Sequence, residues 1–479
     1  MSAMTTLAQV HAMLPGSILV NTSLEAAQAL PITRVGTDSR QIDAGELFVA
    51  LAGERFDAHD FLSDVASSGA AAALISKQDK CPKNLPAVCV EDTRAAIGQL
   101  AKAWKKTFPI PLALVTGSNG KTTVKEMIAS IFKAAVGESH TLVTKGNLNN
   151  DIGLPLTLLK LRPIDQLAVV ELCMNHPGET AQLADIAQAN IALINNAQRE
   201  HQEFMATVAA VAQEHADVIR ALPQDGVAVF PGDSEFTGLW REAAAGRKVL
   251  DFVLSSTQTN AAAVSGKLLS DGRIEVYSEN GNIKIQLNTL GNHNVRNALA
   301  ASAVAIAADI SLEKIQAGLE SFKPVNGRMQ AKTIDANHTL IDDSYNANPD
   351  SVRAAIDALK QSGNNAWIVL GDMGEVGDQG PEFHQEVGAY AAEQGISKLF
   401  ALGEQCQFAI QGFEAAKGSA LSSATHFSNM DSLIAQLRDA LHAQVLGTNQ
   451  HLNILVKGSR FMRMERVVQA LLEEAKACS

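Results

Sequence analysis

The chain has 479 residues, 46% of them hydrophobic and 19% charged, with a formal net charge of −12. That length exceeds what one hydrophobic core sustains and suggests about three domains of roughly 150 residues each, while the acidic balance argues against a nucleic-acid or anionic-membrane surface. The five cysteines form neither a CxxC pair nor a metal-ligand spacing, no run approaches the ~20 apolar residues that span a bilayer, and no basic segment with an apolar region and cleavage site opens the chain, so a soluble, cytoplasmic protein is expected.

In chain order, residues 47–51 read as a short buried strand, 61–69 as a helix, and 71–76 and 87–90 as further strands. The proline-flanked stretch 80–86 looks like a connector, which sets a first module at residues 1–86. Residues 112–123 then run Leu-Ala-Leu-Val-Thr-Gly-Ser-Asn-Gly-Lys-Thr-Thr, an apolar strand entering a glycine turn and a helix. This is the pattern of a phosphate cradle. Gly117 and Gly120 let successive N–H groups from Thr116, Ser118, Asn119 and Thr123 converge on one phosphate, Lys121 adds a cation, the helix start adds its dipole, and the Thr122 hydroxyl is placed for Mg²⁺. The glycines are closer together than in the common P-loop.

Strands expected at 167–172, 191–196 and 227–230 alternate with helical segments, the pattern of a parallel sheet covered on both faces. Asp271-Gly272 and Asn280-Gly281 separate the alternating runs 274–277 and 283–287, an antiparallel meander appended to that sheet, and an Ala-rich helix follows at 294–309. Proline and glycine interrupt the pattern at 323–327, ending a central unit at 87–323. Strands at 339–342, 366–370, 398–402 and 452–456 then build a Rossmann-like α/β unit over 324–479, without a Gly-x-Gly-x-x-Gly fingerprint. The expected fold is therefore α/β in three domains: a small N-terminal module, a central P-loop-type, mostly parallel sheet, and a C-terminal Rossmann-like domain.

Several residues could carry chemistry beside the cradle. Glu171 ends an apolar strand, where a carboxylate needs either a cation or a metal, and His201 follows the next strand, as a ligand or as an exposed loop histidine. Asn147, Asn149 and Asn150 form either a plain turn or a loop that hydrogen-bonds a polar substrate. Asn292 and Asn297 flank a helix start with the same ambiguity. Asp342 and Asp343 could bind ribose hydroxyls or cap the helix beginning at Pro349. These residues reach a three-domain, magnesium-dependent, ATP-using enzyme, with the acceptor left open.

Together the motifs resemble the ATP-dependent Mur ligases over nearly the whole chain. They are Thr37-Asp38-Ser39-Arg40, Asp57-Ala58-His59-Asp60-Phe61, the cradle, Lys145 to Pro155, Asn175-His176-Pro177-Gly178-Glu179, Gly291 to Ala298, Asn326-Gly327-Arg328, Asp343 to Pro349, Leu370-Gly371-Asp372-Met373 and Lys457-Gly458-Ser459-Arg460. Within the family they are most similar to the member that joins D-alanyl-D-alanine to UDP-N-acetylmuramoyl-tripeptide, giving the pentapeptide precursor of peptidoglycan. The resemblance implies an ADP-forming amide ligase acting through an acyl phosphate, with ATP and Mg²⁺, those two substrates as its partners, no nucleic acid, no membrane, and a monomeric state. It implies Lys121, Glu171, His201 and Arg328 as catalytic residues and Thr122, Glu171 and His201 as metal ligands. It further implies Asn292, Asn297, Arg328 and Asp343 around the nucleotide, Ser39 and Arg40 at the uridine diphosphate, and Asn147, Asn149, Asn150, Tyr345, Asn346 and Asn348 along the substrate path.

The resemblance has departures. Cys173-Met174 stands where relatives have Gly-Ala, and His201 to Met205 differs from the usual run. The family places a carbamylated lysine fourteen residues after the histidine; here that position is His215, preceded by Glu214. Glu214, or water held by His215, is the expected substitute, and indifference to bicarbonate the expected consequence. Competing readings are another amide ligase of the superfamily, acting at the preceding Mur step or in folylpolyglutamate synthesis, or a nucleotide-gated binding protein without catalysis. Asp38-Ser39-Arg40 argues against the folate case, Tyr345 to Pro349 against the preceding step, and intact Lys121, Glu171 and His201 against loss of chemistry.

Overall fold

The structure is a computed structural model that describes residues 3–53, 56–200, 202–205, 207–255, 262–363, 365–419, 422–447 and 451–478, with the backbone alone for 445–447 and 474–478. Three mixed, mostly parallel sheets follow one another along the chain. The first runs Ile18–Val20, Ala87–Cys89, Ala72–Ile75, Glu46–Val49, Arg34–Gly36, antiparallel only at its first pair. Two of its three inner strands, Ala72–Ile75 and Glu46–Val49, are buried throughout, as expected for parallel strands covered on both faces.

This sheet changes one expectation. Ala87–Cys89 lies inside it, hydrogen-bonded to both Ile18–Val20 and Ala72–Ile75, so the first unit runs to Cys89 instead of ending near residue 86. The proline-flanked stretch is a loop between two adjacent strands of one sheet, and its composition alone could not distinguish that from a linker. Asp92 then caps the helix Thr93–Lys105 by accepting from the N–H groups of Arg94 and Ala95.

The second sheet has nine strands in the order Gly281–Ile285, Ile274–Ser278, Val264–Leu268, Lys248–Leu254, Val227–Pro231, Ile191–Ile194, Leu112–Thr116, Leu167–Glu171, Thr141–Val143. The run from Thr141–Val143 to Val264–Leu268 is parallel, and the last two strands turn back antiparallel. Alternate residues feed opposite cores: Leu114, Val170 and Ile194 pack on one side, Val115, Val169 and Leu193 on the other. The helix Lys121–Val136 that leaves the cradle packs with Asn292–Ala307 and Leu312–Ser321 on the second side.

The third sheet runs Gln330–Thr333, His338–Asp343, Leu452–Lys457, Ala366–Gly371, Lys398–Leu402, Ser423–Phe427, parallel except for its first pair. Helices Pro349–Gln361, Gly380–Glu393 and Cys406–Ala416 cover one face, Met430–Gly447 and Glu465–Cys478 the other. Both edge strands escaped the sequence reading because they are polar and largely solvent-facing. In the second sheet, Leu112–Thr116 lies between Leu167–Glu171 and Ile191–Ile194, which come later in the chain and add on opposite sides of it, so a crevice opens at its carboxyl end.

Candidate active site

The crevice is built from the turn after Leu112–Thr116. Gly117 has φ +134° and Gly120 φ +78°, and a Cβ on Gly120 would sit 2.8 Å from the side chains of both Asn195 and Asn297. Only glycine fits there. The turn is tied to the end of the neighbouring strand: Ser118 N–H donates to the Asn196 carbonyl (3.2 Å), Asn119 N–H to Asn196 Oδ1 (2.8 Å), and the Asn195 amide to the Asn119 carbonyl (2.8 Å). Thr116 and Thr123 are buried beneath this turn.

On one side of the cradle, Glu171 is 2% exposed. Its Oε1 accepts from the Thr122 hydroxyl (3.1 Å) and the Asn149 amide (2.8 Å), and its Oε2, equally buried, has no hydrogen-bond partner. A buried carboxylate oxygen left without a donor is costly. Beside a hydroxyl and a phosphate-binding turn, it is what a divalent cation with hard oxygen ligands would complete. Of the other two amides in that loop, Asn150 Oδ1 accepts from the Gly153 N–H (2.9 Å) at the start of Gly153–Leu158, and Asn147 is exposed.

On the other side, Lys121 folds back over the turn and donates to the Gly117 carbonyl (2.5 Å), the Ser118 carbonyl (3.2 Å) and Glu200 Oε2 (3.1 Å). Burial pulls its ammonium pKa down, but the charges of Glu200 and Glu171 and the Glu200 hydrogen bond outweigh this and hold it above the usual lysine range. Glu200 Oε1 meets His215 Nε2 at 2.9 Å, and His215 Nδ1 meets the Thr116 hydroxyl at 3.1 Å. Glu214 is elsewhere: its carboxylate accepts from the N–H groups of Gly178 and Thr180 and caps Glu179–Ala187. The expectation that Glu214 substitutes at the cradle is therefore corrected. Glu200 is the carboxylate that arrives there, because on the helix Val208–His215 successive residues point about 100° apart and only His215 faces Thr116. His201 lies outside the described residues.

The C-terminal domain closes over this crevice. The Asn348 amide caps Pro349–Gln361 through Ser351 N–H and also donates to Asn119 Oδ1 at 2.9 Å. The cap is thus Asn348 and neither aspartate: Asp342 pairs with Lys332 (2.7 Å), and Asp343 pairs with Lys457 and accepts from Met329 N–H (3.1 Å). Arg328 stacks on the Tyr345 ring at 4.3 Å with Arg460 5.7 Å from the same ring, and Asn346 is exposed. Asn292 is exposed at its helix start, while Asn297 is buried, its amide committed to Asn294 and its oxygen to Asn195. Asn297 therefore supports the cradle from below. In the first unit, exposed Arg40 hydrogen-bonds the Asp38 carboxylate and lowers its pKa to about 2. Ser39 sits in the same turn.

With this geometry in place, likeness to known proteins becomes specific. Family profiles match successive parts of the chain: "Mur ligase family, catalytic domain" over residues 31–105, "Mur ligase middle domain" over 115–305 and "Mur ligase, glutamate ligase domain" over 327–460. The UDP-N-acetylmuramoyl-tripeptide–D-alanyl-D-alanine ligase of Escherichia coli K12 is 37% identical over 456 residues, 95% of this chain and 97% of its own. This chain belongs to the Mur ligase family. The Haemophilus influenzae ligase of the same name is 37% identical over 96% of this chain and 97% of its own length. A crystal structure of MurF from Acinetobacter baumannii superposes with a TM-score of 0.87 at 33% identity, covering 98% of this chain and 99% of that one.

Among the described residues, one that joins the middle and last domains through several hydrogen bonds was missed in the sequence. Arg199 donates from its backbone and guanidinium to Asp350 (2.9 Å from N, 3.1 Å from Nε), reaches Glu386 at 2.7 Å and lies 5.2 Å from the Phe383 ring. The Glu386 hydrogen bond, with Asp350 behind it, outweighs burial and holds the guanidinium pKa above its ordinary value. Asn195, Asn196, Gln198, Arg199 and Glu200 form one polar run at the carboxyl end of Ile191–Ile194. That position, next to the cradle strand in an open α/β sheet, was the available signal.

Proposed function

We propose that this Mur ligase joins D-alanyl-D-alanine to UDP-N-acetylmuramoyl-tripeptide with conversion of ATP to ADP and phosphate. The carrying observation is the cradle with a buried, unpartnered Glu171 oxygen on one flank and Lys121 on the other. The 37% identity to ligases of that activity over nearly the whole chain supports the choice of acceptor.

In the reaction, the tripeptide carboxylate attacks the ATP γ-phosphorus and ADP leaves. The amine of the dipeptide then adds to the acyl carbon, phosphate departs, and the nitrogen loses its proton. The protein's share is positioning and charge neutralisation. With the Ser118 and Asn119 N–H groups committed to Asn196, contrary to their expected role, the N–H groups at the helix start of Lys121–Val136 hold phosphate oxygens, and Lys121 neutralises charge on the transferring group. Mg²⁺ fits the flank where Glu171 Oε2 lacks a donor; Glu171 and Thr122 would hold it, and it would supply positive charge to the nucleotide phosphates. Asn149, bonded to Glu171, fixes that carboxylate's orientation. Asn348 reaches the cradle through Asn119; Arg328, Tyr345 and Asn346 would line the same crevice from the last domain, and domain closure through Arg199 would keep water from the acyl phosphate.

We assign the unit ending near Cys89 to the uridine diphosphate through Ser39 and Arg40, the middle unit to ATP, and the unit from about residue 324 to closure. No helix among the described residues is long and apolar enough to cross a membrane, and a cytoplasmic monomer goes with small, soluble substrates. Phosphate release from ATP, measured with each substrate omitted in turn, tests the reading. Release that needs both substrates is expected. Release that needs neither, or no release, overturns it.

A further inference from the structure

The chain Thr116, His215, Glu200, Lys121 is continuous, buried and directed at the cradle. Thr116 is fully buried, His215 is 1% exposed and Glu200 6%. A carboxylate only accepts, so His215 Nε2 carries the proton donated to Glu200, and Nδ1 accepts from the Thr116 hydroxyl. Every member is then satisfied, and both Glu200 oxygens are directed, one by the imidazole and one by the Lys121 ammonium. Arg199, the next residue, is clamped to Asp350 and Glu386, so the backbone carrying Glu200 is fixed by the last domain.

We propose that Glu200 is a positioning residue for Lys121: oriented by His215, it supplies as an ordinary side chain the anion that a carbamylated lysine at position 215 would otherwise bring to this spot. A lysine carbamate forms when an uncharged lysine amine adds to carbon dioxide and releases a proton, giving an N–COO⁻ group. Here the carboxylate between residue 215 and Lys121 is already present in the covalent chain and needs no carbon dioxide. Glu200 stands between residue 215 and Lys121, 2.9 Å from one and 3.1 Å from the other. The proposal rests on the ligase reading for its kinetic consequence, but not for its chemical one.

Two measurements test it independently. Protein incubated with ¹³C-bicarbonate is examined by ¹³C NMR for a carbamate resonance, which requires no ligase activity. The unmodified protein is expected to show none, and the double variant Glu200→Ala/His215→Lys, which opens the space and supplies an amine, to show one. A carbamate on the unmodified protein, or none on the folded double variant, overturns the proposal. In the ligation assay in CO₂-depleted buffer, the unmodified enzyme should respond less than two-fold to bicarbonate. Glu200→Gln should lose about 100-fold in kcat with the KM for the UDP-substrate unchanged, and the double variant should gain at least ten-fold on adding bicarbonate. Glu200→Gln within three-fold of the unmodified kcat makes Glu200 merely structural. Absence of ligation by the unmodified enzyme, with the NMR outcome as expected, would count against the ligase reading alone.

Discussion

Two buried polar clusters in this molecule invite the same question and answer it differently. In the cradle, Glu171 keeps one carboxylate oxygen without a donor. In the last domain, Asp372, His384 and Cys406 lie close enough to hold a metal ion, yet every polar atom there is already used. Asp372 accepts from Cys406 N–H (2.8 Å) and Gln405 N–H (3.3 Å), His384 Nε2 accepts from Met373 N–H (3.0 Å) while Nδ1 donates to the Gly380 carbonyl (2.7 Å), and the Cys406 thiol faces the Leu370 carbonyl at 3.5 Å. Burial lowers the His384 pKa and raises that of Cys406, so neutral forms are favoured. A cluster whose valences are met by its own backbone is a structural joint; one that leaves an oxygen unmet is a ligand site.

The largest effect that would sharpen this contrast is at Lys121. Lys121→Ala should lower ligation on the order of 10³-fold while calorimetric affinity for the UDP-substrate stays nearly intact, because the cradle and the first unit, to which we assign the uridine diphosphate, belong to different sheets. Comparable loss of both would break the division of labour. Next, Glu171→Gln should cost about 100-fold in kcat and abolish thermal stabilisation by Mg²⁺ with nucleotide. Its ligand-free stability should move by less than about 1 kcal/mol, since removing a buried charge offsets adding an unpaired amide donor.

The structural cluster should behave in the opposite way. His384→Ala should destabilise by about 2 kcal/mol through the unpaired Met373 N–H, while kcat per folded molecule is retained and chelators have no added effect. The pH dependence follows from the lowered His384 pKa: below about 6.5 the unfolded chain binds a proton that the folded one refuses. This contribution is complete above that value and is lost as pH falls toward the folded pKa. Melting curves between pH 7.5 and 5.5 should therefore show a decline that His384→Gln flattens, with half-buried His293, whose pKa burial also lowers, acting in the same direction. The smallest effect is at the domain joint. Arg199→Ala and Asp350→Ala should couple by about 1 kcal/mol in a double-mutant cycle, because the pair is only partly buried. Scattering from Arg199→Ala should also show a larger radius without nucleotide; an unchanged radius would mean that the joint is held by other contacts.

How much of this was legible in the sequence depends on how far apart the interacting residues lie. The strand, turn and helix of 112–123 are one contiguous segment whose glycine conformations and hydrophobic run are set locally, so cradle and Lys121 could be read directly. Strands such as Leu167–Glu171, Ile191–Ile194, Ala366–Gly371 and Leu452–Lys457 were legible for the same reason, as unbroken apolar runs, whereas Thr141–Val143, Lys248–Leu254 and Val264–Leu268 were missed. Edge strands such as Ser423–Phe427 lack that run because one side faces water. Glu214 looked as suitable as any carboxylate beside residue 215, yet a helix turns neighbours to different faces, and Glu214 went to another helix's cap.

By itself, then, the sequence determined the α/β class, the order of the strands' appearance, the phosphate-binding turn and its lysine, all of which depend on neighbours within a dozen residues. Only the tertiary structure decided which residues complete the site. Glu200 meets Lys121 across 79 residues, Asn297 supports Asn195 across 102, Arg199 clamps Asp350 across 151, and Asn348 touches Asn119 across 229. The physical reason is that polar groups of this kind carry no periodicity. Their partners are chosen by sheet order and domain packing, which bring strand ends together regardless of their separation along the chain.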